Sequence, residues 1–115
     1  MNKEKILFVG VGEVGNSLID IYKKHLDRFE LYYEDPRKTI DLPTVKDPNT
    51  IHIDVMNICI PFIPKFKEVV INYINTYAPS LVVIHSTVDI GVTRYIFNKT
   101  LCSIAHSLLW VYILT

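Results

Sequence analysis

The segment Gly10-Val11-Gly12-Glu13-Val14-Gly15 sets three glycines at G-x-G-x-x-G spacing between two stretches of different periodicity. Before it, Ile6, Leu7, Phe8 and Val9 form an unbroken apolar run, the pattern of a short strand buried on both faces as parallel sheets require. After it, Val14, Leu18, Ile21 or Tyr22, and Leu26 recur at helical spacing, while Asp20, Lys23, Lys24 and Asp27 occupy the remaining faces. A buried strand that turns through glycines into an amphipathic helix is the first half of a βαβ unit.

The rest of the chain repeats that alternation. Phe29 to Tyr33 reads as a second strand, stopped by Glu34, Asp35 and Pro36. From Pro36 to Asn49, three prolines and scattered charges predict mostly loop, too short for a further strand and helix before the next apolar run. Val55 to Ile60 is that run, ended by Pro61 and Pro64. Lys65 to Tyr77 then places Phe66, Val70, Tyr73 or Ile74, and Tyr77 on one helical face. Leu81 to His85 predicts a fourth strand, Gly91 to Lys99 a short helix, and Leu101 to Ala105 a fifth strand. No internal repeat interrupts the pattern, so the expected fold is a single α/β domain over residues 1–115: a Rossmann-like, doubly wound parallel sheet in three α/β/α layers.

The glycine spacing has a mechanism in that setting. Gly10 permits the tight turn, Gly12 lets the backbone approach a pyrophosphate, and Gly15 allows the helix to pack closely on the strand. The helix amino terminus, with Val11, Glu13 and Val14 beside the glycines, offers free amides and the positive end of a dipole. Asp35 lies 20 residues after Gly15, where a carboxylate at a strand end accepts hydrogen bonds from an adenosine ribose. The expected ligand is therefore a dinucleotide. The Asp35 carboxylate repels a 2′-phosphate and so favours NAD over NADP, with Arg37 and Lys38 offsetting part of that repulsion.

Charge and composition narrow the alternatives. Twelve Lys and Arg balance twelve Asp and Glu, which gives no global attraction for nucleic acid or an anionic membrane surface. The two cysteines, Cys59 and Cys102, sit in apolar runs and are expected to be reduced, buried thiols of a cytoplasmic protein. Met1 to Lys5 is charged and leads directly into the first strand, so neither a secretory nor a transit peptide is expected. The four histidines are widely spaced, without Cys or carboxylate at metal-ligand intervals, and no metal site is expected. Neighbouring strand residues point to opposite faces, so His85 is poorly placed to activate Ser86 in a triad with Asp89. His85 is expected to be a strand-end histidine with a satisfied hydrogen bond, close to the nicotinamide side.

Two later stretches, Asp54 to Phe62 (DVMNICIPF) and Leu81 to Arg94 (LVVIHSTVDIGVTR), add to the glycine loop. Together, over about residues 5–99, they resemble the amino-terminal NAD-binding domain of the UDP-glucose/GDP-mannose dehydrogenase family. That family lies within the broader 6-phosphogluconate and 3-hydroxyisobutyrate dehydrogenase superfamily. Cys59-Ile60-Pro61 is similar to the family's Cys-Val-Pro-like turn, and Ser86 to Thr93 to its Ser-Thr-Val-Pro-x-Gly-Thr-like segment, with Asp89 where the family has proline. The resemblance implies that Pro61 shapes the wall near the nicotinamide ribose and that Thr87 or Ser86 hydrogen-bonds the cofactor. It also implies a dehydrogenase-type oxidoreductase of sugar-nucleotide or hydroxy-acid descent. The family's substrate site and nucleophilic cysteine lie in domains beyond this one, so autonomous catalysis is not expected.

Thr100 to Thr115 departs in style, with 16 residues free of Lys, Arg, Asp, Glu, Gly and Pro. It is too short to span a bilayer, which takes roughly 20 apolar residues. Three expectations fit it: a final buried strand and apolar segment against the sheet edge, a reading frame truncated or shifted after about Ser107, or docking of Trp110 and its neighbours on a partner chain or a second copy. The function expected besides a dehydrogenase domain is a non-catalytic regulatory module that senses NAD or another adenine nucleotide. An S-adenosylmethionine-dependent methyltransferase ranks behind both.

Overall fold

The computed structural model describes residues 2–107, apart from the side chain of Ile90. Leu108 to Thr115, with the docking surface expected around Trp110, lie outside the described residues. Five strands form one sheet: β1 (Glu4–Val9), β2 (Phe29–Glu34), β3 (Val55–Ile58), β4 (Leu81–Ile84) and β5 (Ser103–His106). Their order is β2-β1-β3-β4-β5, and every pairing is parallel. Helix α1 (Glu13–Tyr22) links β1 to β2, α2 (Phe66–Tyr77) links β3 to β4, and α3 (Ile90–Thr100) links β4 to β5. This is a Rossmann-like α/β fold, wound outward in both directions from β1 and β3.

Two apolar cores explain the three layers. On one face Ile6, Phe8, Leu31 and Tyr33 pack with Val11, Leu18 and Ile19 of the α1 side. On the other, Leu7, Val9, Met56, Ile58, Val82 and Ile84 pack with Phe66, Val70, Ile74 and Tyr77 of α2 and Ile96 of α3. The alternating residues of β1 thus serve both cores, which is why that strand reads as an unbroken apolar run.

Several boundaries differ from the sequence expectation. Helix α1 ends at Tyr22 and tightens into a 3-10 turn, Lys23–His25, so Leu26 and also Ile21 are exposed rather than on the core face. The chain must be back in the sheet by Phe29, where Glu4 N donates to Arg28 O at 3.1 Å, and a further helical turn leaves too few residues to return. β3 closes at Ile58 and β4 at Ile84, short of the expected Ile60 and His85, although Cys59 N still donates to Val9 O at 2.8 Å and His85 N to Ile58 O at 2.9 Å. Helix α3 takes in Ile90 and Thr100, and β5 begins at Ser103 because Leu101 turns into the left-handed region.

The connection from Asp35 to Asp54 carries only a 3-10 turn, Pro48–Thr50, in place of a strand and helix. It runs along the sheet edge, where Tyr33 N donates to Pro43 O at 3.1 Å. Ile40 and Leu42 pack on the α1 core, and Val45 and Ile51 on the α2 core. The loop therefore covers the flank of β2 that a further strand would otherwise occupy.

Helix α3 ends on a non-glycine residue in the left-handed region, Leu101 at φ 56, with its side chain 77% exposed. A β-carbon there costs about 1–2 kcal/mol, and glycine gives back part of that gain in chain entropy. Leu101→Gly is expected to raise stability by about 0.5–1 kcal/mol. Urea unfolding measures it.

Candidate functional site

The turn after β1 is built on close backbone contacts. Gly10 sits at φ +91, and a β-carbon on it would lie 2.9 Å from Ile60 Cγ2 and 3.0 Å from the Cys59 carbonyl group. Gly15 is tighter still, because a β-carbon there would stand 2.3 Å from the Gly10 carbonyl oxygen. These two glycines let α1 rest directly on the end of β1 and against β3. Gly12 is different in kind: a β-carbon there would meet nothing within 4 Å, and its φ of −74 is ordinary. The space above Gly12 is open.

Gly12 is also the N-cap of α1 and supplies no side-chain cap. Asn16 folds back so that its Nδ2 donates to Val11 O at 2.8 Å, which steadies the turn from its carbonyl side. The amides of Gly12, Glu13 and Val14 have no acceptor among the described residues. Uncapped first-turn amides carry the positive end of the helix dipole, so this turn attracts an anion.

Asp35, immediately beyond β2, is tied to the same turn. Its Oδ2 accepts from Val11 N at 2.9 Å, and its Oδ1 accepts from Arg37 N at 2.8 Å and Lys38 N at 3.2 Å. Burial pushes the Asp35 carboxyl upward, yet those three amides and the Lys38 charge outweigh it and hold the group below its ordinary 3.8. One carboxylate thus joins the glycine turn to the loop after β2.

A cleft of about 480 Å³ opens between these elements at the carboxyl ends of β1, β2 and β3. Gly10, Gly12, Asp35 and Pro61 line it, four of the residues expected from the sequence. Glu13, Val14 and Gly15 lie in the first turn of α1, and Val11 is buried behind the turn; none of the four lines the cleft itself. Ser86 and Thr87 stand one strand further along. The Ser86 hydroxyl donates to Ile60 O and braces β4 against the end of β3, whereas Thr87 is exposed.

Of the remaining lining, Arg37 and Lys38 were expected beside Asp35 and Cys59-Ile60 beside Pro61, whereas Ile63, Val69 and Tyr73 escaped the sequence reading. Ile63, Val69 and Tyr73 form an apolar wall with Ile60 and Pro36, and Glu34, Arg37 and Lys38 supply charge. Val69 and Tyr73 are four residues apart on α2, beside the buried Phe66, Val70, Ile74 and Tyr77 stripe. That second i, i+4 pair was the available signal. Burial, Glu34 and Asp35 together raise the Tyr73 hydroxyl pKa, so the ring stays neutral. A second depression of about 380 Å³ lies at the far ends of α2 and α3, lined by Ser80, Leu101 and Cys102 among others, and contains none of the expected residues.

The titratable groups near β3 and β4 are poorly suited to chemistry. Burial pushes the Cys59 thiol up to about 12, so it remains protonated. His85, 5% exposed, pairs through Nε2 with Asn57 Oδ1 at 2.8 Å, directed away from Ser86. Burial, aided by the nearby His106, lowers the His85 pKa from 6.5 to about 4. Among the described residues no group of three or more His, Cys, Asp or Glu side chains could hold a metal ion. Among them too, no helix is long and apolar enough to cross a membrane.

No family model and no curated protein matches the sequence. Solved structures do match in fold. Homoserine dehydrogenase of S. aureus aligns at TM-score 0.65 and 12% identity over 92% of this chain and 33% of its own. DAP dehydrogenase of C. glutamicum, in complex with DAP, aligns at TM-score 0.60 and 18% identity over 87% of this chain and 32% of its own. RSP, a Rex-family repressor, in complex with beta-NADH aligns at TM-score 0.60 and 15% identity over 97% of this chain and 56% of its own. The chain spans about a third of the two dehydrogenases and just over half of the repressor. At these identities the likeness is one of fold.

The three glycines separate experimentally. Gly15→Ala forces a methyl against the Gly10 carbonyl and is expected to cost about 2–3 kcal/mol, while Gly12→Ala, which meets no clash and loses only the glycine N-cap preference, is expected to cost about 0.5–1 kcal/mol in urea unfolding. The pH dependence follows from His85 and Asp35. Between pH 6.5 and about 4 the unfolded chain binds a proton at His85 that the folded chain refuses, so stability falls as pH drops through that window. The Asp35 contribution is present above its ordinary 3.8 and is lost as pH falls through its lower folded value. Urea midpoints measured from pH 7 to pH 3 should decline in that order, and His85→Gln should flatten the upper part of the decline.

Proposed function

We propose that this chain is a nicotinamide dinucleotide-binding domain and that its cofactor is NAD. The observation that carries the reading is the open, uncapped turn at Gly12. Two glycines of the motif are required by contacts within the protein, whereas the third is required by none and faces the cleft. A position kept free of side chain, above amides that lack acceptors, fits a pyrophosphate. Asp35 fits a ribose hydroxyl, and the Ile63, Val69 and Tyr73 wall fits the flat face of adenine. The homoserine and DAP dehydrogenases and the NADH complex of the Rex-family repressor share this fold and support the same class of ligand.

The finer assignment is a dehydrogenase-type domain of sugar-nucleotide or hydroxy-acid descent. It draws on the similarity of Cys59-Ile60-Pro61 and of Ser86 to Thr93 to the UDP-glucose/GDP-mannose dehydrogenase family. When bound, the cofactor would accept hydride, and the residues of this chain would hold and orient it. A second reading, a nucleotide-sensing regulatory module that binds NAD or another adenine nucleotide without turning it over, is favoured by the lining itself. Among the described residues the cleft is lined by no histidine, and the thiol that lines it, Cys59, stays protonated.

Titration calorimetry with NADH tests the reading. The parent protein is expected to bind, and Gly12→Val to stay folded but lose binding, because a β-carbon there meets nothing in the protein and reaches into the ligand's space, while the poorer N-cap lowers stability by about 1 kcal/mol. Asp35→Ala is expected to weaken NADH about tenfold, as the loss of a charge-assisted hydrogen bond implies. Full-strength NADH binding by Gly12→Val would refute the cradle. Binding of NAD without NADH formation across a panel of sugar nucleotides and hydroxy acids favours the sensing module.

A further inference from the structure

We infer that two copies of this chain associate through the free edge of β5 and the adjoining flank of α3, joining their sheets into one. The opposite edge of the sheet, at β2, is covered by the loop from Asp35 to Asp54, where Tyr33 N donates to Pro43 O. β5 stands last in the strand order on the other side. Ser107 N donates to Ile84 O at 2.9 Å, and backbone groups alternate along a strand, so Ser103 and Ala105 turn theirs to β4 while Ile104 and His106 point theirs outward. The outward N–H and C=O groups of Ile104 and His106 have no partner among the described residues. Exposed edges are ordinarily blunted by charge or proline, and Ser103–His106 contains no Lys, Arg, Asp, Glu or Pro.

Helix α3 extends the same surface. Its Tyr95 ring meets Lys67 Nζ of α2 at 4.6 Å and its Ile96 is in the core, so by the helical period Thr93 and Phe97 lie on the flank away from α2, on the β5 side. Phe97 is 45% exposed there. A second copy is the occupant that such a surface fits. A two-fold axis brings each residue near its own twin, so a self-associating surface cannot rely on opposite charges and is best left uncharged. Thr93, Phe97 and Ser103–His106 meet that condition, with Lys99 held on the α2 flank 5.5 Å from the Tyr95 ring and Arg94 on the solvent side, opposite Ile96.

The edge is also its own complement. With the axis at Ala105 and the two strands antiparallel, Ile104 of one copy stands opposite His106 of the other, and each such pair exchanges both N–H···O bonds. Ala105 faces its twin as a non-hydrogen-bonded pair, where α-carbons approach to about 4.5 Å and a small side chain is needed. Because the axis is normal to the sheet, both α3 helices stay on one face and Phe97 of each turns toward the other. The cleft, at the ends of β1, β2 and β3, stays open in the pair.

Sedimentation velocity of the full chain and cysteine cross-linking test the contact. A four-residue edge with one aromatic per copy is a small interface, so dimers are expected to build up at roughly micromolar concentration. Phe97→Lys sets two like charges near the axis and is expected to raise the dimer dissociation constant at least about tenfold. With oxidised glutathione, Ala105→Cys is expected to give a covalent dimer, since its α-carbons lie within disulfide reach. Ser103→Cys, whose twin stands about 13 Å away along the strands, and the parent, which retains Cys59 and Cys102, are expected to give none. Sedimentation as a monomer up to about 100 µM overturns the inference, as does finding the chain assembled only with a different protein. A dimer that Phe97→Lys leaves intact and Ala105→Cys fails to lock forms through another surface and overturns it equally.

Discussion

The separation between the Gly10 carbonyl oxygen and the α-carbon of Gly15 governs the geometry of this domain's carboxyl edge. Only with two hydrogens at position 15 can α1 begin so close to the end of β1, since a methyl would stand 2.3 Å from that oxygen. The approach brings the first turn of the helix over the sheet, places Val11 where its amide meets Asp35, and sets Gly10 against Cys59 and Ile60. Strands β1, β2 and β3 are thereby joined at one point, and the cleft exists because their ends diverge from it.

Much of this was legible from residue order. The unbroken run Ile6 to Val9 announced a strand shared by two cores, and the Phe66, Val70, Ile74, Tyr77 spacing announced the face that α2 buries. The glycine motif and Asp35 were readable because backbone geometry and strand length fix their separation. What was illegible depends on contacts distant in sequence. The choice between Tyr73 and Ile74 for the core could not be made until the sheet determined the rotation of α2, which left Tyr73 facing the cleft. The engagement of Ser86 with Ile60 O, rather than with open space, likewise depends on how two loops bend after their strands. The strand ends expected at Ile60 and His85 lie past the ladder, which closes at Ile58 and Ile84.

The chemistry at this edge is weighted toward holding a ligand. Two acids and two cations, Glu34, Asp35, Arg37 and Lys38, balance around an apolar wall. Cys59 stays protonated through burial, and His85 pairs through Nε2 with Asn57 behind the cleft while its Nδ1 is buried without a partner among the described residues. Such a lining discriminates by shape and by the placement of charge. Which reaction, if any, follows depends on what stands opposite the cleft.

The missing cap at Gly12 has a further consequence. A side-chain cap in place of glycine contributes about a few tenths of a kcal/mol, and α1 forgoes it. An anion seated on the same amides would supply that stabilisation from outside, so occupancy and folding stability become linked quantities and a filled site melts later than an empty one. Serine or aspartate at position 12 would make the helix self-sufficient and would fill the space that an anion needs. The domain thus keeps a weak point in its own framework, and the weakness is what leaves the turn receptive.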